Sequence, residues 1–416
     1  MASTKDIITK AKTFGSHNYA PFDLVLVRGE GAHVWDPEGR EYLDLLGGYS
    51  ALNHGHRHPK IMAAAHAQLD KISVVARCFL NEPLSELAET LVRITGLDRV
   101  MPMNSGAEAV ESAVKVVRAW GVRVKGLSPH RAQIITCVNN FHGRTTTVVS
   151  FSSEPDYRDQ FGPLTPGFVQ IPFGDAAALE NAITDDTVAF LAEPIQGEGG
   201  IVLPPPGWMT KVREICTRRN IALIWDEVQT GLGRTGKMFA WEHEGARPDL
   251  LTLGKALGGG VMPVSACVGK REFMDAIKPG EHGSTFGGSP LAMTIAKTAI
   301  DVLIDEKLSE RAADLGTKAM QRVRDAKVPG VVDVRGRGLL IGIELHPAMG
   351  GAHKLCEMLI KNGVLTKETR KHVLRLAPPL VIAESDLMRG VDITIETIRQ
   401  MYAQADQGAV AAHSAV

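Results

Sequence analysis

Between Gly96 and Gly269 short apolar runs alternate with amphipathic stretches, and few folds accommodate that rhythm. RVMPMN, QIITCV, TVVSF, VAFLAEP, IALIWDE, DLLTLGK and VSACVG read as strands. Several are apolar on successive residues, as strands covered by helices on both faces are. Between them Val110, Ala113, Val114 and Val117 fall at the i, i+3, i+4, i+7 spacing of one helix face, and Val212, Ile215 and Cys216 begin a second such stripe. The alternation predicts an α/β fold with a largely parallel sheet.

The 416 residues suit two or three domains at ~150 residues each. We expect an N-terminal segment over 1–49, made of short strands and loops that need a neighbour to pack on, and a large domain over 50–289. A smaller α+β domain follows over 290–403, with helices from Leu291 to Asp305, Leu308 to Asp325, Ala352 to Asn362 and Glu384 to Ala403. Its strands are VVDVRGRGLLIGIEL, alternating like a hairpin around Gly336 and Gly338, then VLTKE and VLRLA. The last stretch, 404–416, has no periodicity and reads as a flexible tail.

Charge excludes some functions. With 46 Lys+Arg against 47 Asp+Glu, the chain offers no electrostatic reason to bind nucleic acid or an anionic membrane, so any anionic ligand must be held by a local site. No apolar run reaches the ~18 residues of a spanning helix. The start, MASTKDIITKAKTFGSHNY, lacks the apolar core of a secretory signal and the Arg-rich bias of a transit peptide. The 5 cysteines are widely spread and without CxxC pairing, which suits reduced thiols, and we expect a cytoplasmic protein.

The most specific signal is a pair of strand ends. IALIW runs into Asp226-Glu227, and DLLTL runs into Gly254-Lys255, with Gly258-Gly259-Gly260 just beyond. Ligands of open parallel sheets collect outside the carboxyl ends of strands, so the two ends can set an acid and an amine in one crevice. A lysine beside Gly-rich backbone can be desolvated enough to expose a neutral, nucleophilic amine. An aspartate at the neighbouring strand end is what a pyridine cofactor needs to keep its ring nitrogen protonated. Taken singly, each residue has a plain structural reading, as a surface charge or as a helix cap.

Other motifs stay open or weaken. Met103-Asn104-Ser105-Gly106-Ala107-Glu108 opens a helix; Ser105 and Glu108 have capping-box spacing, while the same helix start could cup a phosphate, and the two readings compete for N–H groups. Gly231 to Met238 fits both GxGxxG and GxxxxGK, but Asp226 to Thr230 separate it from its strand, and Met238 stands where a P-loop needs Ser or Thr. An ATPase or dehydrogenase using Gly231 to Lys237 is the alternative from another class, and a cofactor-free interaction protein is a third. His54, His56 and His58 lie in a Gly/Pro loop without acidic or Cys companions, so we expect hydrogen-bonding histidines and no metal.

Together ALIWDEVQTGLGRTG, LLTLGKALGGG, AEPIQGEGG, NNFHGRT, PMNSGAEAVE and EHGSTFGG resemble the pyridoxal-phosphate aminotransferases of the ornithine/4-aminobutyrate subgroup, class III. The resemblance runs from about Asn18 to Ile393 and implies the aspartate-aminotransferase fold, PLP fold type I. SHNYAPFDLVL, LGGYSALNHGHRHP, KPGEHGSTFGG and LRLAPPLVI look most like the bacterial ornithine aminotransferases.

The resemblance implies roles. Lys255 would bind pyridoxal 5'-phosphate covalently and then serve as the base; Asp226 would pair with the ring nitrogen, Gln229 with the ring hydroxyl oxygen, and Phe141 would stack on the ring. Gly106 and Ala107 would cradle the phosphate, with Thr285 reaching over from the second subunit of a homodimer with shared active sites. Arg144 would bind the ornithine carboxylate and Tyr19 its α-amino group, with Tyr49 lining the pocket. Arg375 would be masked by Glu198 when ornithine enters and freed for glutamate or 2-oxoglutarate. The dipeptide Phe141-His142 is shared with acetylornithine relatives, so the case against an acetylated substrate rests on Tyr19 and Tyr49.

Overall fold

The computed structural model describes residues 3–413, with side chains described to residue 405. Its centre is a sheet of seven strands in the order Arg99–Met103, Ser265–Gly269, Leu250–Leu253, Ala222–Asp226, Thr187–Ala192, Gln133–Cys137, Phe168–Ile171. Ser265–Gly269 is antiparallel to both its neighbours, and the other pairings are parallel. Six strands therefore run the same way and release the chain at one edge of the sheet, after Met103, Cys137, Ile171, Ala192, Asp226 and Leu253. Every residue of Thr187–Ala192, Ala222–Asp226 and Leu250–Leu253 is buried, as their unbroken apolar runs require.

The helix Gly106–Arg123 covers one face with Val110, Ala113, Val114, Val117 and Trp120. Trp208–Arg218 covers the other through Trp208, Met209, Val212, Ile215 and Cys216. Both carry the stripes expected from their sequence.

Past Ser289 the helices Pro290–Asp305 and Leu308–Asp325 precede an antiparallel sheet ordered Val331–Arg337, Leu340–Leu345, Val373–Leu376, Lys367–Glu368. The expected strand VLTKE divides at buried Thr366. Val364–Leu365 instead extends the N-terminal sheet of Arg28–Glu30, His33–Trp35 and Glu41–Asp44, pairing in parallel with Leu43 and Asp44. That is the neighbour the N-terminal strands required.

Three expectations need correction, and one strand went unforeseen. TVVSF is no strand: Thr146–Val149 is a helical turn, since Val148, Val149 and Phe151 are buried at helical rather than alternating spacing. Phe168–Ile171 is an edge strand too short to stand out by pattern. The N-terminal segment begins with a helix, Thr4–Phe14, closed by a capping box between Ser3 and Asp6. Finally, Glu384–His413 is one helix, so the stretch expected as a loose tail from 404 continues it to 413, in keeping with its alanine content, while 414–416 lie outside the described residues.

Candidate active site

The sheet edge where six strands end collects Gly106 and Ala107 after Arg99–Met103, Phe141 after Gln133–Cys137, Asp226 and Gln229 at the end of Ala222–Asp226, and Lys255 after Leu250–Leu253. Ala222–Asp226 and Leu250–Leu253 are adjacent and parallel, with Asp226 opposite Thr252, so Asp226 and Lys255 leave the sheet side by side. A cavity of about 170 Å³ is lined by Gly106, Ala107, Phe141, His142, Gly143, Glu193, Asp226, Val228, Gln229 and Lys255. The acid and the amine, distant in sequence, thus share one space.

Asp226 is held from three directions. Thr252 Oγ1 donates to its Oδ1 at 2.9 Å, the Val228 N–H donates to the same oxygen at 3.0 Å, and His142 Nδ1 lies 2.6 Å from Oδ2. Burial opposes a charge on His142, but the hydrogen bond and negative charge of Asp226 outweigh it, so its pKa is raised. A carboxylate so fixed is pre-set to keep a proton on a ring nitrogen beside it. Glu227, next along the strand, points to the opposite face and accepts from the N–H groups of Ala240 and Trp241 and from Thr230 Oγ1. It is a structural carboxyl.

Lys255 has a left-handed backbone, φ 45°, in the turn Lys255–Gly258. Burial lowers its pKa and Arg375 adds to that, against the opposing charges of Glu198, Asp226 and Glu193. The result is an amine more readily neutral than a surface lysine.

At the helix start the two competing readings turn out to be compatible. Ser105 Oγ accepts from the Glu108 N–H at 3.2 Å, and Glu108 Oε2 accepts from the Ser105 N–H at 2.7 Å and the Asn104 N–H at 3.0 Å. The box leaves the N–H groups of Gly106 and Ala107 without hydrogen-bond partners among the described residues, and both residues line the cavity. A Cβ on Gly106 would meet Val228 Cγ1 at 2.8 Å, and one on Gly143 would meet Ala107 Cβ at 2.7 Å. Two free N–H groups on uncluttered backbone, a fixed buried carboxylate, an aromatic ring and a desolvated amine fit a phosphate-bearing pyridine.

Motif reading quoted Glu193 within AEPIQGEGG but gave it no role. It is buried, accepting from the Phe141 N–H and the Gly197 N–H at 3.0 Å each, and so ties the loop after Gln133–Cys137 to the loop after Thr187–Ala192. Burial pushes its carboxyl up to about 7, Asp226 adds, and His142 and the two N–H groups oppose. Its place directly after a buried strand, at the head of AEPIQGEGG, was the available signal. Gly197 is required beside it, since a Cβ there would lie 1.4 Å from Gln229 Oε1.

At the next layer out, Arg375 comes from the small sheet, is fully buried, and pairs through Nη1 with Glu198 Oε1. Its Nε and Nη2 have no hydrogen-bond partner among the described residues, and its Cζ stands 5.0 Å from the Tyr49 ring centroid. Burial works against the Glu198 charge, but Arg375 overcomes it and lowers the pKa, with Lys255 and Gln229 assisting. Gln229 Nε2 also reaches the Tyr49 carbonyl at 3.5 Å. Tyr19 and Tyr49 share a separate cavity of about 320 Å³ with Phe22, Leu46, Leu365 and Lys367.

Arg144 and Thr285 also stand outside the cavity that Lys255 lines. Arg144 is exposed, its Cζ 3.5 Å from the Tyr157 ring centroid and 5.6 Å from that of Phe141. Thr285 is exposed in the loop between Met274 and Pro290 and does not line its own chain's cavity. The nucleotide-like stretch is filled by protein: Arg234 is buried and donates to the carbonyls of Leu339 and Pro378 and to Asn53, while a Cβ on Gly236 would meet that of Ala313 at 2.9 Å. Its glycines serve close packing. His54, His56 and His58 take three separate partners, the Ala299 carbonyl, Asp44 and Glu306.

Comparison with known proteins agrees with this geometry. The family model described as "Aminotransferase class-III" matches residues 14–398. The ornithine aminotransferase of Brevibacillus brevis is 49% identical over 401 residues, covering 96% of this chain and 99% of its own. The crystal structure of the ornithine aminotransferase from Toxoplasma gondii ME49 superposes with a TM-score of 0.95 at 41% identity, covering 97% of each chain. That of the acetylornithine aminotransferase from Elizabethkingia anophelis gives 0.87 at 44% identity, over 96% of this chain and 100% of that one. With the family model matching most of the chain and relatives near half identical along almost all of it, the chain belongs to the class-III aminotransferases.

Proposed function

We propose that the chain moves the δ-amino group of L-ornithine to 2-oxoglutarate, giving glutamate 5-semialdehyde and glutamate, with pyridoxal 5'-phosphate as cofactor. The observation that carries this reading is the buried Glu198–Arg375 pair, whose two charges both act on Lys255. A bare buried cation there would draw the α-carboxylate inward and present the α-amine for reaction. Masked by Glu198, it leaves the entering diamino acid to be oriented from its far end, by Arg144 for the carboxylate and Tyr19 for the α-amine. When a dicarboxylic acid enters, Arg375 exchanges Glu198 for the substrate.

The bound cofactor supplies an electron sink for the carbon that loses a proton. The protein does the rest. Lys255 binds it, and its neutral Nζ takes and returns the substrate proton. Asp226, oriented by Thr252, the Val228 N–H and His142, keeps the ring nitrogen protonated. Gln229 would hydrogen-bond the ring oxygen, Phe141 would stack on the ring, and the N–H groups of Gly106 and Ala107 would hold the phosphate. Thr285 would complete that phosphate site from the partner subunit of a homodimer, which we place in the cytoplasm. No helix among the described residues is long and apolar enough to cross a membrane.

The acetylornithine relative at 44% identity makes a donor panel the decisive test. Ornithine, N-acetylornithine and 4-aminobutyrate are added in turn to the holoenzyme, and the loss of its visible absorption band is followed. Ornithine should bleach the band fastest and 2-oxoglutarate restore it. Faster bleaching by the acetylated donor would replace this reading.

A further inference from the structure

Arg144 is held in an unusual way for a residue proposed to bind a carboxylate. Among the described residues it makes neither hydrogen bond nor ion pair; its guanidinium instead lies 3.5 Å from the centroid of the Tyr157 ring. The same ring meets Phe141 edge to face, with centroids 6.1 Å apart at 84°. Tyr157 belongs to the helical turn Pro155–Arg158, which is tied back by Arg158 Nη1 to the Ser152 carbonyl at 3.3 Å and by the ion pair of Glu154 with Arg370. One anchored aromatic ring therefore touches both the residue assigned to the cofactor face and the cation assigned to the substrate.

Physical chemistry gives that arrangement a purpose. A free arginine side chain loses rotamer entropy when a ligand orders it. An acidic partner would order it in advance but would neutralise it and compete with the incoming carboxylate. A π face attracts the guanidinium without occupying its N–H edge, so the donor fork remains open for bidentate binding.

We propose that Tyr157 is a positioning residue for substrate recognition, holding Arg144 over its ring at a set distance from the cofactor, an inference that rests on the reading of Arg144 given above. Nothing in the sequence motifs marks it. The test is steady-state kinetics with ornithine at saturating 2-oxoglutarate for Tyr157→Phe, Tyr157→Leu, Arg144→Ala and the double variant Arg144→Ala/Tyr157→Leu. Tyr157→Leu should raise the ornithine KM roughly three- to tenfold while kcat and the visible cofactor band stay close to those of the parent. Tyr157→Phe keeps the π face and should recover most of the affinity. In the Arg144→Ala background the leucine change should add nothing.

An equal leucine effect in both backgrounds, or a phenylalanine variant as impaired as the leucine one, would overturn the role of Tyr157 and leave that of Arg144 intact. An Arg144→Ala enzyme with an unchanged ornithine KM would overturn the carboxylate assignment, and this inference with it. Should the leucine variant not accumulate, Tyr157→Gln removes the ring from the half-buried site and carries the same comparison.

Discussion

Glu198 governs more of this site than its distance from the reacting atoms suggests. It neutralises Arg375, whose side chain is wholly buried and whose Nε and Nη2 are unpaired among the described residues. Removing the carboxylate leaves a cation that only an incoming carboxylate can satisfy. Glu198→Ala should therefore lower kcat/KM for ornithine at least roughly tenfold and raise it for donors with an α-amino group at the cofactor, such as glutamate. An unchanged ratio of the two in a donor comparison would remove the switch from the mechanism. Glu193 calls for a different measurement. Its folded carboxyl titrates at about 7 because burial disfavours its charge, against an ordinary value of 4.5. The folded state thus holds a proton that the unfolded chain has lost, and stability falls as pH rises from about 4.5 to about 7, by roughly 3 kcal/mol at most. Glu193→Gln abolishes that titration. Melting temperatures measured between pH 5.5 and 8 should show the parent losing stability relative to the glutamine variant as pH increases; a constant difference would mean that Glu193 does not titrate there.

Among the elements, the helix Gly106–Arg123 does two jobs with its first turn. The Ser105–Glu108 box stabilises the helix by about 1 kcal/mol, and the N–H groups it leaves over belong to residues that line the cavity. Gly106→Ala separates the two jobs. Alanine favours helix over glycine by about 1 kcal/mol, which offsets part of the clash of its Cβ with Val228. Thermal stability should change little while cofactor affinity drops roughly tenfold or more, as read by titrating the apoprotein with pyridoxal phosphate; unchanged affinity would take the phosphate away from this turn. The helix also shows what sequence reveals and what it withholds. Its stripe of Val110, Ala113, Val114 and Val117 and its box were legible because both are local patterns. So were Asp226 and Lys255, since each ends an unbroken apolar strand. That the box and the cradle use different N–H groups was not legible, because that depends on which way the Glu108 carboxylate turns back. Thr146–Val149 misled for the opposite reason: a short β-branched run has no period of its own, and its packing through Val148 and Phe151 decided the conformation. Tyr157 belongs to no motif, and although Glu193 sits in AEPIQGEGG, nothing in that string says which loops its carboxylate ties together.

At the scale of the whole molecule, two features join parts that the chain keeps apart. Arg234 is buried with its guanidinium spent on carbonyls of Leu339 and Pro378 and on Asn53, so it fastens the large sheet's loop to the C-terminal unit. Burial brings its pKa down to about 9. Arg234→Ala would strand three buried acceptors at ~1–3 kcal/mol each, and a melting temperature lowered by several degrees would be the expected result. The second feature lies on the surface. Leu80 is 95% exposed and Phe79 67% in a segment that also shows Leu69, Ile72 and Val74, and Phe286, beside Thr285, is 53% exposed. An apolar surface of that kind on an isolated chain asks for a partner, and the homodimer proposed above, with Thr285 reaching the partner's phosphate site, would supply one. Because Leu80 is so exposed, replacing it costs the folded chain almost nothing, so any effect of Leu80→Asp must act through association. Sedimentation should show the parent as a dimer and the variant shifted toward monomer. Pyridoxal-phosphate affinity should fall with that shift and recover as protein concentration is raised, since the two subunits and the cofactor then stabilise one another by mass action. A monomeric parent, or a monomeric variant binding cofactor as tightly as the dimer, would place the phosphate site within a single chain.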